Sequence, residues 1–155
     1  TSPVRSLAFS FRHTVSGASS PYELQVRVGD SLLWRSPLVS GVMWQRIAVP
    51  CSLSGRLSFR LATVRSSLET DSTEVALYLD DAYILPGTPD RGMAFLPGFE
   101  ADRAYPGWNQ TLVGAWSSGI VYGDSYSGSR CWQFSNRAGM VAKAGEYAEV
   151  WTWVR

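Results

Sequence analysis

Apolar and polar residues alternate one by one through much of the first half of the chain. Leu7, Phe9 and Phe11 are separated by Ala8, Ser10 and Arg12, and Tyr22, Leu24, Val26 and Val28 alternate with Glu23, Gln25 and Arg27. A period of two places one set of side chains on one face of a strand, so both stretches predict half-buried β-strands, and Gly29-Asp30 predicts a turn after the second. The pattern continues through Ser31 to Trp34, Met43 to Val49, Arg56 to Ala62 and Glu74 to Ile84, divided by Ser36-Pro37, by Pro50 to Gly55 and by the polar run Arg65 to Thr73. Leu57, Phe59 and Leu61 share one face, as do Val75, Leu77 and Leu79, and both triplets are expected in the core. Strands at this spacing, with no window in which apolar residues recur at i, i+3, i+4 and i+7, predict an all-β antiparallel sandwich with little helix.

Leu85-Pro86-Gly87-Thr88-Pro89-Asp90-Arg91-Gly92 ends this strand-rich stretch with two Pro and two Gly, so residues 88–97 are read as a linker or crossover. Beyond it Phe99, Tyr105, Trp108, Trp116, Tyr122 and Tyr126 stand in loop-like surroundings. Strands follow around Arg130 to Phe134 and from Tyr147 to Val154. With 155 residues there is room for one core, so 1–87 and 98–155 together make one domain's worth of chain.

Composition narrows the partners. Fourteen basic residues against 13 acidic ones give a net charge of +1, with no Lys/Arg cluster, which removes support for a nucleic-acid or anionic-membrane partner. Apolar runs are too short for a membrane helix, and the lack of an initiating Met or signal peptide reads as a mature, processed or excised chain. Cys51 and Cys131, 80 residues apart, are too few for a thiolate zinc cluster; either a long-loop disulfide or two buried thiols fits them. Asn109-Gln110-Thr111 matches the N-glycosylation acceptor pattern, in keeping with an extracellular or cell-surface location.

Two sets of residues resemble parts of a known fold. Gly98-Phe99-Glu100, eight residues before Trp108 and followed by Tyr126-Ser127-Gly128-Ser129-Arg130-Cys131-Trp132, resembles the opening of jelly-roll carbohydrate-binding modules and MAM-like domains. Glu74 to Ile84 resembles the last strand of such a domain, and Tyr22 to Trp34 and Trp44 to Val49 resemble its middle strands. The resemblance implies a jelly-roll-like β-sandwich, but with the opening motif after the closing one: 98–155 corresponds to the opening half and 1–87 to the closing half. Three arrangements account for this order: a circularly permuted module that closes on itself, a chain whose halves complete sandwiches with neighbouring copies, or a piece of a tandem array. The resemblance also implies a structural calcium ion shared by Glu100 and Asp81, with Asp80 as the other candidate.

Candidate chemistry is sparse. His13 is the only histidine, so the usual catalytic triads and histidine metal sites cannot be built in one chain, and it reads as a strand-end surface residue. There is no phosphate loop and no G-x-S-x-G elbow, and nothing selects a glycosidase pair among Asp80, Asp81, Asp90, Glu100, Asp102 and Asp124. The chain is therefore read as non-catalytic. Seven Trp and seven Tyr point to sugar stacking, with Trp34, Trp44, Trp108, Trp116 and Tyr122 as loop-proximal candidates, or else to packing in the core. In the last strand Trp151 and Trp153 lie on one face and Val150, Thr152 and Val154 on the other, apolar enough to be buried on both sides. With Phe9 and Phe11 of the first strand, these Trp residues are the candidates for an assembly surface. The expected function is that of a non-catalytic extracellular structural or adhesive subunit that shares strands with copies of itself, head to tail. The alternative is a monomeric, circularly permuted, calcium-stabilised module that binds a polysaccharide or glycan.

Overall fold

The computed structural model describes residues 5–15, 20–39, 43–51, 55–66, 74–85, 108–123, 125–126, 130–136 and 142–154. They form ten strands: β1 (Arg5–His13), β2 (Tyr22–Val28), β3 (Ser31–Pro37), β4 (Gln45–Cys51), β5 (Gly55–Thr63), β6 (Ala76–Leu85), β7 (Asn109–Val113), β8 (Trp116–Tyr122), β9 (Arg130–Asn136) and β10 (Tyr147–Val154). No helix occurs among the described residues. Two five-stranded antiparallel sheets, ordered β4-β1-β6-β9-β8 (sheet A) and β3-β2-β5-β10-β7 (sheet B), pack as a β-sandwich.

The alternation read from the sequence decides which side chains meet. Leu7, Phe9 and Phe11 of β1 and Leu57, Phe59 and Leu61 of β5 are all within 1% of complete burial. Across the sandwich Phe59 meets Phe9 edge-on, with ring centroids 5.1 Å apart. Trp132 and Phe134 of β9 join the same core and lie opposite Leu79 and Leu77 of β6. Val150 of β10 lies opposite Phe59 of β5. Burying each such large side chain contributes roughly 1.5–3 kcal/mol, which makes this inner layer the main source of stability.

Gly29 opens the β2–β3 hairpin at φ 57°, the positive value that a primed two-residue turn needs there. The pairing of β1 with β6 shifts between Ala8 and Ser10: three residue steps on β6 face two on β1, and Asp81 in that extra stretch has φ 49°. This is a β-bulge, and it re-aims the Asp80-Asp81 pair. Three edge strands are interrupted or short. Pro37 lies in β3, Pro50 lies in β4, and β7 has only 5 residues.

Several expectations need correction. His13 is buried at 2% exposure, because it follows Leu7, Phe9 and Phe11 at the same period and so points inward. Burial lowers its pKa. The stretch around Trp116 and Tyr122 is strand β8 and not loop. Cys131 is completely buried. Cys51 ends β4, and β1 and β6 stand between β4 and β9. Three inter-strand steps amount to about 14 Å, twice the Cα separation that a disulfide spans, so Cys51 and Cys131 are not bridged within this chain.

Each sheet takes three strands from the first part of the chain and two from the second. In sheet A the join is the β6–β9 ladder and in sheet B it is the β5–β10 ladder. β1–β6 and β7–β10 are thus two complementary half-sandwiches, connected along the chain only through residues 86–108. The proposed linker, 88–97, lies outside the described residues.

Candidate functional site

At one end of the sandwich, between the sheets, the start of β2 meets the ends of β5 and β9 and the starts of β8 and β10. There a pocket of about 90 Å³ is lined by Tyr22, Thr63, Trp116, Asn136, Lys143 and Glu146, among others. The Asn136 Nδ2 group donates to the Tyr22 hydroxyl at 2.8 Å, while its Oδ1 accepts the Val75 N–H at 2.7 Å. Trp116 stands edge-on to Tyr22, its ring centroid 5.9 Å away, and its indole N–H donates to the Val113 carbonyl at 3.1 Å. Thr63 fixes the β10 approach: its N–H donates to the Glu146 carbonyl at 2.9 Å and its carbonyl accepts the Gly145 N–H at 3.0 Å. Gly114, at φ 114°, leaves room for the Glu146 carboxylate, which any Cβ there would meet. The pocket thus has an aromatic wall beside amide, phenol, ammonium and carboxylate side chains.

Burial pushes the Tyr22 pKa up to about 12; the Asn136 hydrogen bond lowers it and the charge of Glu146 raises it. A raised phenol pKa means that the unfolded chain ionises first. Stability therefore falls as pH rises from about 10 to about 12, by up to about 2–3 kcal/mol. Tyr22→Phe is expected to flatten this alkaline decline in urea titrations at about pH 9 and about pH 11; an unchanged decline would show that Tyr22 does not titrate differently in the two states.

A second polar-aromatic cluster covers the outer face of sheet A. The Arg12 guanidinium lies 4.1 Å over the Tyr78 ring and 5.7 Å from that of Trp44. Trp44 in turn meets Tyr126 at 5.7 Å. Arg46 donates to the Ser10 hydroxyl at 2.9 Å and lies 5.8 Å over Tyr126. Asp80, 3% exposed, accepts the Asp81 N–H at 2.8 Å on one oxygen and the Tyr126 N–H at 2.9 Å on the other. It fastens the β8–β9 connection across the sheet.

That bonding bears on calcium. Both Asp80 oxygens accept N–H donors, and the Asp81 carboxylate is 3.9 Å from the Arg46 guanidinium. Asp80 and Asp81 are thus both engaged with donors of the protein itself. Glu100 lies outside the described residues, among which no three His, Cys, Asp or Glu side chains come together.

The aromatic candidates separate cleanly. Trp34, partly buried, packs edge-on against Phe9 and Phe11 at the margin of the core, and Trp108, 2% exposed, packs against Phe59 within it. Trp44 and Trp116 line the two clusters above. Tyr122 is 67% exposed at the end of β8, under the Arg130 guanidinium at 4.9 Å. Asn109 is exposed at the start of β7. Phe9 and Phe11 are buried within their own chain, whereas Trp151 and Trp153 lie on the outer face of β10. Arg12 and Tyr78 were not among the sequence candidates, and Tyr126 entered only as a loop-like aromatic, because only the folded chain brings them to Trp44. Comparison with protein-family models, with curated proteins and with solved structures found no match to this chain.

Proposed function

We propose that the chain is a non-catalytic structural or adhesive β-sandwich unit of the extracellular surface, whose two halves pair with those of neighbouring copies and so link copies head to tail. The observation that carries this reading is the seam. Every backbone ladder between the halves, β5 with β10 and β6 with β9, joins residues that only the connection 86–108 holds in one chain. The same ladders form equally well with a half supplied by another copy, so closure within or between chains is set by effective concentration and not by different contacts. If each chain passes its second half onward, the contact is heterologous and does not close, which generates a filament. The resemblance to jelly-roll carbohydrate-binding and MAM-like domains in permuted order supports the same division into halves.

Refolding from urea at several protein concentrations tests the proposal. Light scattering is expected to give multiples of the 17.1 kDa chain that grow with concentration, with fibres in negative-stain images. A mass near 17.1 kDa at every concentration overturns it and favours the second reading, a monomeric glycan-binding module, for which the pocket beside Trp116 speaks.

A further inference from the structure

The outward face of an inner strand in an antiparallel sandwich is ordinarily polar, since it meets water. Strand β10 departs from this. Its outward residues are Tyr147, Glu149, Trp151 and Trp153, and Trp153 is 62% exposed. Glu149, only 2% exposed, receives Arg56 at 2.6 Å on one oxygen and Arg60 at 2.8 Å on the other. The same two guanidiniums lie over aromatic rings, Arg56 at 4.2 Å over Trp151 and Arg60 at 3.9 Å over Tyr147. Three aromatic rings and two arginines are thus held in a fixed stripe around one buried carboxylate.

Charge and shape both point to a ligand. Register places Arg35, Gln25, Arg60 and Glu149 in one row across the sheet and Arg27, Ser58 and Trp151 in the next. On this face Arg27, Arg35, Arg56 and Arg60 stand against Glu23 and Glu149, an excess of two positive charges on a chain whose total is +1. The Arg35 side chain at the β3 end of the first row is exposed. Trp151 and Trp153 stand at 88° with centroids 6.1 Å apart. Two perpendicular rings cannot both stack on one flat ribbon; one takes a ring face and the other bounds its edge.

We propose that the outer face of sheet B binds an acidic polysaccharide, a sugar chain carrying carboxylates. The exposed Trp153 ring takes the C–H face of a pyranose, and the arginine row takes carboxylates through charge-assisted, bidentate hydrogen bonds. This site is separate from the seam and from the end pocket, and light scattering reports on assembly independently of it.

Affinity electrophoresis of the intact chain tests the site, in native gels holding polygalacturonate, a neutral glucan or poly-L-glutamate. Retardation by polygalacturonate is expected, weakening with added salt as exposed charges are screened. Trp153→Ala is expected to weaken it about tenfold with an unchanged far-UV spectrum, Trp153→Phe to restore much of the loss, and Arg35→Glu to weaken it to a similar degree. Absence of retardation, retardation by the neutral glucan alone, or a Trp153→Ala chain retarded like the parent would each overturn the proposal. Equal retardation by poly-L-glutamate would also overturn it, since that polymer offers the charge without the sugar ring.

Discussion

Trp132→Ala is expected to lower the unfolding free energy by about 3–5 kcal/mol, seen as a drop in the urea midpoint. Trp132 is completely buried and sits at the join of the halves: it lies opposite Leu79 of β6 on one side and Ile120 of β8 on the other. Its removal leaves a cavity that rigid strands on both sides cannot collapse into, and it deletes the hydrogen bond that the indole N–H donates to the Ser118 hydroxyl at 3.0 Å. A domain of this size has only about 5–15 kcal/mol to lose. Because the side chain belongs to the seam, the loss should weaken closure within a chain and between chains alike, so multimers should fall along with stability. A loss below about 1 kcal/mol would mean that β9 does not pack as described.

Deleting residues 86–107, so that Leu85 is bonded directly to Trp108, is expected to convert any monomer entirely into multimers that keep the parent's β-rich spectrum. β6 lies in sheet A and β7 in sheet B. Stacked sheets are about 10 Å apart, while one Cα–Cα step reaches about 3.8 Å, so the shortened chain cannot place its own second half against its first. It can still give that half to a neighbour. Light scattering and circular dichroism together decide the outcome. Folded multimers support exchange of halves, an unfolded chain shows that the halves do not complement each other in trans, and a folded monomer would contradict the arrangement of β6 and β7.

How far the sequence reached depends on where the information lies. Phe59 could be placed in the core from alternation alone, because β5 is an inner strand with one face dry, whereas Phe9, read as an assembly candidate, is buried against Phe59 within its own chain. Strands β7 and β8 were missed for the opposite reason: β7 is largely exposed, and on β8 the inward series Trp116, Ser118, Ile120, Tyr122 contains a serine and ends in an exposed ring. An edge strand need not advertise a face. For β10 the alternation of Trp151 and Trp153 with Val150 and Thr152 was visible, yet apolar character on both sides was read as burial on both sides. Register settled the matter, since Val150 faces Phe59 and the indoles therefore point outward. The Arg56–Glu149–Arg60 network could not have been found earlier. Its members are about 90 residues apart in the chain, and only the β5–β10 pairing makes them neighbours. His13 was misplaced by residue type although its spacing was correct.

The prolines of the outer strands bear on the shape that an assembly can take. Pro50 in β4 and Pro37 in β3 remove ladder donors at two sheet borders, and a third border, β7, is too short to template a long partner. Lateral recruitment of further strands, the route by which β-rich proteins thicken into cross-β ribbons, is thereby discouraged at these borders while the inner joins stay available. If copies do join head to tail as proposed, a thread of such units would carry the aromatic stripe of each to the outside, and avidity for a repeating surface would rise with its length.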